Sequence, residues 1–580
     1  MVLRRARTTF KLVLQKIFQH DDPATRLARG FSAGCFAAAY PFPGLQIPLS
    51  LVMAWLLQGN RAVAILPQFV VNAGTMIPLA IGEYYLGCWL LPGEQPDAGE
   101  LAAGLQHAFD AWSWSAPWTS TVYLFSSDEV QIAQVYAPLL LGASVAGAAF
   151  ALLAYPLILV GVRAWRKRHP LPAWAESRAP FAIPERPVSK PSAAYVDRPD
   201  RFLHAEQIEL LVDGAQAYPE MLAAIEAAQS SVDLETYILR ADRTGERFAD
   251  ALRRSARNGV RVRLLYDAVG SLGLPDRYIR ALLDAGVQVA VYHPLTFSRP
   301  LWAWNKRDHR KVLVVDGRAS FTGGLNISDD YVPREEGGAG WRDTHVRIDG
   351  ERVARELTRL FDGAWAKARH WPDSEPEGKP LERSARVLWR PAADPSAARV
   401  PVLVLGNTLF RNRHRIRGAY LYAIKRAERY ILIENAYFIP DRGIRRALYA
   451  AAKRGVAVGV VVAQHSDVEI AASAGRALYS ELLDHGVRLF EWPGSMLHAK
   501  TAAIDDAWAL VGSYNIDHRS LFHQLEAVAV TTDAPFVRAL RDQTQTDMAR
   551  CRELTLADHE ARPLKTLLWE SLMYQFRYWL

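Results

Sequence analysis

Two stretches of this 580-residue sequence decide its fold. The first is His309-Arg-Lys311-Val-Leu-Val-Val-Asp316, followed by Gly323-Gly324-Leu-Asn326. The second is His498-Ala-Lys500-Thr-Ala-Ala-Ile-Asp505, followed by Gly512-Ser513-Tyr-Asn515. In both, Lys follows His by 2 positions, Asp by 7 and Asn by 17. On a strand, a spacing of two projects His and Lys from one face. A single copy would be compatible with an ordinary strand and a satisfied histidine, but two copies at equal offsets argue for a shared site.

Working outward, the repeat extends beyond the polar residues. Ala281-Leu-Leu-Asp-Ala-Gly-Val-Gln-Val-Ala-Val-Tyr-His-Pro294 lines up with Glu481-Leu-Leu-Asp-His-Gly-Val-Arg-Leu-Phe-Glu-Trp-Pro493. Upstream, Arg257-Asn-Gly-Val-Arg-Val-Arg-Leu-Leu matches Arg454-Gly-Val-Ala-Val-Gly-Val-Val. Each copy reads helix, glycine turn, strand, then a proline-terminated turn. β-like apolar runs such as Ser231–Leu239 and Val260–Tyr266 alternate with Ala-rich amphipathic stretches, which predicts an α/β fold. Two pseudo-equivalent lobes follow, 201–390 and 391–580, with one site at their interface.

The first third differs in kind. Residues 1–20 carry five cations and no acid, and from Ala62 through Val162 there is no Lys or Arg. The cationic run resumes at Arg163, Arg166, Lys167 and Arg168. Within this block, residues 62–92 and 135–162 are each long and apolar enough to cross a bilayer, which needs about 20 residues. The Trp-rich acidic loop between them would face away from the cytoplasm. Gly30–Leu57 is too short for two crossings and is broken by Pro41-Phe42-Pro43-Gly44, so a re-entrant hairpin is expected. Residues 1–28 lack the apolar core and cleavage site of a signal peptide. The expected organisation is a helical membrane domain (1–165), a Pro-rich linker (166–200) and the two lobes. The net charge, 69 − 61 = +8, is modest, and three cysteines are too few for a disulfide framework.

The paired His-x-Lys-x4-Asp motifs resemble the phospholipase D superfamily. Leu234-Glu-Thr-Tyr237-Ile, Trp341-Arg342-Asp343-Thr-His, Glu434-Asn435-Ala-Tyr437-Phe-Ile-Pro440 and Asn515-Ile-Asp-His-Arg519-Ser520-Leu are similar to bacterial cardiolipin synthases. Where those enzymes often carry Asn two residues before the late Glu, this chain has Gln524 before Glu526. The N-terminal segment resembles a widespread bacterial membrane domain of unknown function, with Asn72-Ala73-Gly74-Thr75 where that family often has Asn-Pro-x-Thr. The resemblance implies two pseudo-symmetric α/β lobes with an N-terminal α-helical transmembrane domain.

A phosphodiester is anionic and must be neutralised before attack. Lys311 and Lys500 supply point charges, and Asn326 and Asn515 neutral donors to the same oxygens. Imidazole serves near neutral pH as nucleophile or proton donor. The resemblance implies His309 as nucleophile through a phosphohistidine and His498 as acid/base, although pseudo-symmetry leaves the roles exchangeable. Asp343 and Glu526, 34 and 28 residues after their own lobe's histidines, stand where the family's orienting carboxylates lie. Asp316 and Asp505 belong to the motifs but are expected to hold local backbone. No cofactor or metal is expected.

The implied partners are phospholipids, phosphatidylglycerol or phosphatidylethanolamine, at the bacterial inner membrane with the lobes on the cytoplasmic side. No nucleic acid is expected. At the C-terminus, Leu568, Leu572, Phe576 and Trp579 share a helical face beside Lys565 and Arg577, as an interfacial helix would. Ordinary core packing would give the same stripe. The function implied is phosphatidyl transfer that makes cardiolipin. A phospholipase D or membrane-tethered nuclease remains open on the same core, as does a non-catalytic lipid-handling protein.

Overall fold

The computed structural model describes residues 24–40, 45–69, 73–91, 137–168, 181–294, 306–370, 400–407 and 412–578. They form two units: Met1–Arg178 with Leu556–Leu568, and Ala179–Thr555 with Trp569–Leu580.

The first unit is helical. Helices α1 (Ala24–Ala38) and α2 (Gln46–Leu56) come from the stretch read as a re-entrant hairpin. Gln46 Nε2 ties their junction, donating to the carbonyls of Ala38 at 3.3 Å and Tyr40 at 2.7 Å. The break at 41–44 lies outside the described residues, as do the Trp-rich loop and Asn72. Helices α3 (Ala73–Leu90) and α4 (Ala137–Arg168) follow. They approach backbone to backbone, because a Cβ on Gly87 would lie 1.8 Å from the Pro138 carbonyl oxygen and one on Gly142 1.6 Å from that of Glu83. Small residues permit such close contact.

One expectation is corrected here. Of the two expected spans, α4 over Ala137–Ala164 is the one helix among the described residues that is long and apolar enough to cross a membrane. The other, 62–92, is broken into a short helix Arg61–Ala64 capped by Asn60, a 3-10 turn Leu66–Phe69 and then α3. Pro67 sits in that turn, and Pro78 and Glu83 lie within α3, so neither a continuous helix nor a uniformly apolar one results.

The second unit is built on two sheets of the same plan. In the first, β1 (Ser231–Thr236) is followed by helix α5 (Arg243–Arg257) and pairs in parallel with β2 (Arg261–Asp267). On its other side it meets β3 (Val312–Val315), then β4 (Ala319–Gly323) and β5 (Thr344–Asp349), all antiparallel. Strand Gln288–Tyr292 extends the parallel edge and Gln207–Val212 the antiparallel one.

The second sheet repeats this order. Strand β6 (Tyr430–Asn435) pairs in parallel with β7 (Ala457–Ala463), while β8 (Lys500–Ile504), β9 (Trp508–Gly512) and β10 (Gln524–Thr531) run antiparallel beyond it. Arg488–Trp492 and Val400–Asn407 flank these on either side, and Arg552–Leu554 and Leu203–Ala205 lie outermost. The repeat read from the sequence is therefore a repeat of topology, and the α/β fold with two pseudo-symmetric lobes is what the chain adopts.

One core is shared by the sheets: Val312, Val314, Val346 and Ile348 pack with Val404, Val511, Ala527 and Ala529, across the helix Glu351–Trp365 that contributes Val353 and Leu357. Part of the Pro-rich stretch belongs to this unit. Phe181 packs edge-on against Phe490, Ser189 N donates to Glu428 at 2.6 Å, and Leu203–Ala205 joins the second sheet beside Val400–Val402. Helix α6 (Glu469–Arg476) follows β7, and α7 (Leu564–Gln575) lies near the C-terminus.

Candidate active site

Each motif histidine sits just before its strand, on a short segment that crosses to the other lobe. Arg307–Asp308 pairs in parallel with Gln524–Leu525 at the start of β10, and His309 N donates to the Leu525 carbonyl at 3.0 Å. The second lobe mirrors this. Leu497 forms a parallel bridge with Arg342, and His498 N donates to the Arg342 carbonyl at 2.7 Å. Each histidine is thereby placed beside the carboxylate that follows the segment it pairs with.

The orienting carboxylates are exchanged. His309 Nδ1 lies 3.1 and 3.2 Å from the two Glu526 oxygens, and His498 Nδ1 lies 2.7 Å from Asp343 Oδ2. The sequence reading assigned each acid to the histidine of its own lobe; the crossing segments reverse that assignment. With Nδ1 bound to a carboxylate, Nε2 of each ring is the nitrogen left for chemistry.

The acids are held differently. Glu526 accepts from the hydroxyls of Ser513 and Ser520, the latter at 2.8 Å. Asp343 accepts from Thr344 N at 2.7 Å, and Gly324 stands where a Cβ would come within 2.0 Å of its Oδ1. That close approach requires glycine. Ser513, the equivalent position in the second lobe, can carry a side chain and uses it on Glu526.

Both lysines are buried and point back, Lys311 Nζ donating to the His309 carbonyl at 2.6 Å and Lys500 Nζ to that of His498. Burial pushes Lys311 down to about 7 and Lys500 down to about 8. Burial, followed by the charges of Lys311 and Lys500, holds His309 well below its ordinary value. His498 is lowered by burial and Lys500 but supported by Asp343. Burial acts to raise Asp343, yet His498 and Lys500 keep it below the usual carboxylate range. Burial pushes Glu526 up to about 8 against the pull of Lys311 and its serine donors. The two imidazoles are thus not equivalent: one is strongly biased to the neutral form, and the other has an ionised partner ready to accept its charge.

Other expected residues fall as follows. Asn326 Nδ2 donates to the Tyr331 hydroxyl at 2.7 Å and its Oδ1 accepts from Ile238 N at 3.1 Å. One amide hydrogen is therefore committed to protein rather than open to a ligand. Asn515 lies buried, with no partner for Oδ1 among the described residues. Asp316 accepts from Gln229, Ser230 and Ser231 N, and Asp505 from Glu428, Arg429 and Tyr430 N at 2.6–2.8 Å and from the Tyr195 hydroxyl at 2.6 Å. Both adopt positive φ, 51° and 56°, at the motif turn. Both motif acids are thus committed to local backbone and stand apart from the histidines.

Aromatic rings line the histidines. Tyr237 lies edge-on to His309 at 5.0 Å and 5.3 Å from Lys311 Nζ, while Tyr331 and Trp341 flank His498 at 5.7 and 5.8 Å. Tyr331, on the 3-10 turn Asp329–Tyr331, carried no sequence signal. Arg342 is also buried, its guanidinium 2.7 Å from Asp547 and 3.4 Å from Asp213. Among the described residues no group of three or more His, Cys, Asp or Glu is arranged to hold a metal ion.

Residues 221–365 and 420–548 match the family described as cardiolipin synthase, PLD-like domain. A probable cardiolipin synthase of Bacillus subtilis is 32% identical over 60% of this chain and 67% of its own. Cardiolipin synthase A of Pseudomonas entomophila is 34% identical over 61% of this chain and 70% of its own. Cardiolipin synthase B of Salmonella typhimurium is 34% identical over 58% and 79%. The chain belongs to the phospholipase D-like cardiolipin synthase family. By that membership it is a phosphatidyltransferase of the phospholipase D type. Residues 7–170 match DUF2062, an uncharacterised family found in bacteria, as the N-terminal resemblance implied.

Proposed function

We propose that this enzyme transfers a phosphatidyl group from one phospholipid to the headgroup hydroxyl of another, making cardiolipin or a related lipid. The observation that carries the reading is geometric: the segments that cross between the lobes bring both motif histidines onto carboxylates at Nδ1, which leaves Nε2 of each for chemistry. His309 Nε2, neutral, attacks phosphorus; the bond from phosphorus to the donor's headgroup oxygen breaks, and His498 Nε2–H protonates that oxygen. In the second half, the acceptor hydroxyl gives its proton to His498 as its oxygen attacks phosphorus, and the P–N bond to His309 breaks. Lys311 and Lys500 neutralise the phosphoryl oxygens throughout. Asp343 fixes the tautomer of His498 from Nδ1, and Glu526, in its carboxylate form, accepts from His309 Nδ1–H and leaves Nε2 free to attack.

The setting we infer is the bacterial inner membrane, with residues 1–165 as membrane domain and the lobes of 201–390 and 391–580 on the cytoplasmic side. Helix α4, ending in Arg163–Arg168, supports this. Purified enzyme given phosphatidylglycerol alone, or with phosphatidylethanolamine, should yield cardiolipin by mass spectrometry without added divalent metal. Phosphatidic acid as sole product would mean hydrolysis, and cleavage of labelled DNA with lipid untouched would refute the lipid reading. In intact cells, a cysteine probe near Trp114 should be labelled from outside and one at Ser189 spared; the reverse pattern refutes the orientation.

A further inference from the structure

Among the described residues of the second unit, the large hydrophobic side chains left exposed are few: Leu272, Val468, Ile470, Trp569, Leu572, Phe576 and Tyr578. Each is at least 40% exposed, and Leu272 reaches 76%. Scattered exposed apolar residues are ordinary, but a set gathered at one functional place marks an interaction surface. They lie on three segments, the loops after β2 and β7 and the C-terminal segment, each of which packs on residues neighbouring the two motifs.

The lobes supply equivalent parts of this rim. In the first, the loop after β2 folds over the segment that leaves β1. Gly270 has no room for a Cβ because the Tyr237 carbonyl oxygen would lie 2.2 Å away, and Ser271 Oγ donates to that carbonyl at 3.1 Å. Tyr237 is the ring against His309 and Lys311, so Leu272 stands just outside the catalytic pair. In the second, the loop after β7 carries Asp467, which accepts from the Tyr437 hydroxyl, and then Val468 and Ile470 at the start of α6. Asp467 is near enough to Lys500 to act on its charge. Strands β2 and β7 are topological equivalents, so both exposed loops descend from one position in the repeat.

The third part is the C-terminal segment. Tyr578 packs edge-on to His518 at 4.6 Å and its carbonyl oxygen lies 3.3 Å from His523 Nε2, on the short helix after Asn515. Tyr574 and the Pro440 carbonyl both meet Arg445, which fixes this segment beside the chain leaving β6. Leu572 and Phe576 point to solvent, as an interfacial helix requires. Arg577, expected beside the headgroups, is instead buried, stacked between Tyr574 and Tyr578.

We propose that Leu272, Val468, Ile470, Leu572 and Phe576 form a docking rim that inserts into the lipid bilayer and seats the active-site mouth on the membrane surface. The proposal rests on the phosphatidyltransfer reading, since a phosphatidyl donor reaches a buried Nε2 from a bilayer only if the mouth meets the lipid. The composition fits that occupant. Aliphatic tips alternate with Trp569 and Tyr578, whose rings carry a polar end to the headgroup level. Arg240, with 57% of its side chain exposed and its guanidinium 3.5 Å from Asp330, lines an open cavity of about 410 Å³ together with Leu272 and supplies the one cation there among the described residues.

The full chain, with its three native cysteines replaced, would carry an environment-sensitive probe at Leu272→Cys, Val468→Cys or Leu572→Cys. A control probe goes at Arg257→Cys, the end of α5 that faces away from the site. In vesicles of phosphatidylethanolamine and phosphatidylglycerol, the three rim probes should move to an apolar environment and be quenched by brominated acyl chains, while the control stays in water. Rim probes that remain in water, or shift equally in detergent solution through self-association, overturn the proposal. A second variant, Leu272→Ser/Val468→Ser/Ile470→Ser, should lose at least about tenfold of the rate on vesicles and keep the rate on monomeric short-chain phosphatidylglycerol. Equal rates on both would also overturn it. Cardiolipin formation is read in parallel: rim probes in water with cardiolipin made would defeat the docking alone, and probes in lipid with no transfer to any acceptor would defeat the transferase reading alone.

Discussion

Because each carboxylate serves the histidine of the other lobe, Asp343→Asn should produce a general-acid defect although Asp343 follows His309 in sequence. The substitution keeps shape and removes the charge 2.7 Å from His498 Nδ1. A unit charge pair at about 4 Å is worth about 4 kcal/mol at an effective dielectric constant of about 20. At 1.36 kcal/mol per pKa unit, that is roughly three decades in the protonation of His498. General acid catalysis contributes about 10²–10⁴-fold, so the loss with phosphatidylglycerol should be about 10³-fold. With a p-nitrophenyl phosphodiester, whose leaving group needs little protonation, the initial release of p-nitrophenol should fall by no more than about tenfold. Glu526→Gln, beside His309, should slow both donors alike, because it disturbs the attacking ring. The assay is burst-phase p-nitrophenol release beside lipid mass spectrometry for each variant. If Asp343→Asn slows both donors alike and Glu526→Gln spares the activated one, the exchange or the assignment of roles is wrong.

Three further outcomes follow from the same geometry. Lys311 and Lys500 are cations below their lowered values and neutral above them, so kcat/KM should decline as pH rises through about 7 to 8; initial rates that stay level to about pH 9 would refute this. Gly324→Ala puts a methyl 2.0 Å from Asp343 Oδ1 and should reproduce the Asp343→Asn pattern, with lipid transfer down about 10²-fold or more and the activated donor largely spared. Asp505→Ala strands three backbone N–H groups and the Tyr195 hydroxyl and should cost about 3 kcal/mol or more in denaturant unfolding, whereas Asp316→Ala, whose partners are more exposed, should cost less.

What the sequence disclosed was whatever depends on local order. Two His-x-Lys pairs at equal offsets, the glycine turns and the alternation of runs were enough for the α/β lobes and for the residues at the site. The structural part of Asp316 and Asp505 was also legible, since an acid at a strand's end commonly caps nearby backbone. The exchange of Asp343 and Glu526 was not, because it depends on Arg307–Asp308 and Leu497 crossing to the opposite lobe, a tertiary pairing with no signal in spacing. Tyr331 escaped for the same reason. The span read over 62–92 failed on a different count: an apolar average does not register that Asn60, Pro67 and Pro78 stop or distort a helix at particular positions.

The exchange also explains why a duplicated fold keeps two intact motifs in one chain. Were each histidine oriented within its own lobe, a lobe could hold a complete orienting pair alone, and drift in the lobe-to-lobe packing would leave both rings in place. Here His309 is fixed by β10 and His498 by the segment leading into β5, so each ring is positioned by the other lobe's backbone and carboxylate together. The buried Arg342 strengthens the second crossing. Its carbonyl accepts from His498 N while its guanidinium is gripped by Asp547 and Asp213, which lie more than 300 residues apart. The repeat is itself unequal at one aligned position: where the first lobe has Gly324 to admit Asp343, the second has Ser513 donating to Glu526. A pseudo-symmetric scaffold thus holds its two imidazoles through acids of different length and different surroundings, Asp343 against Gly324 and Glu526 beside two serine hydroxyls.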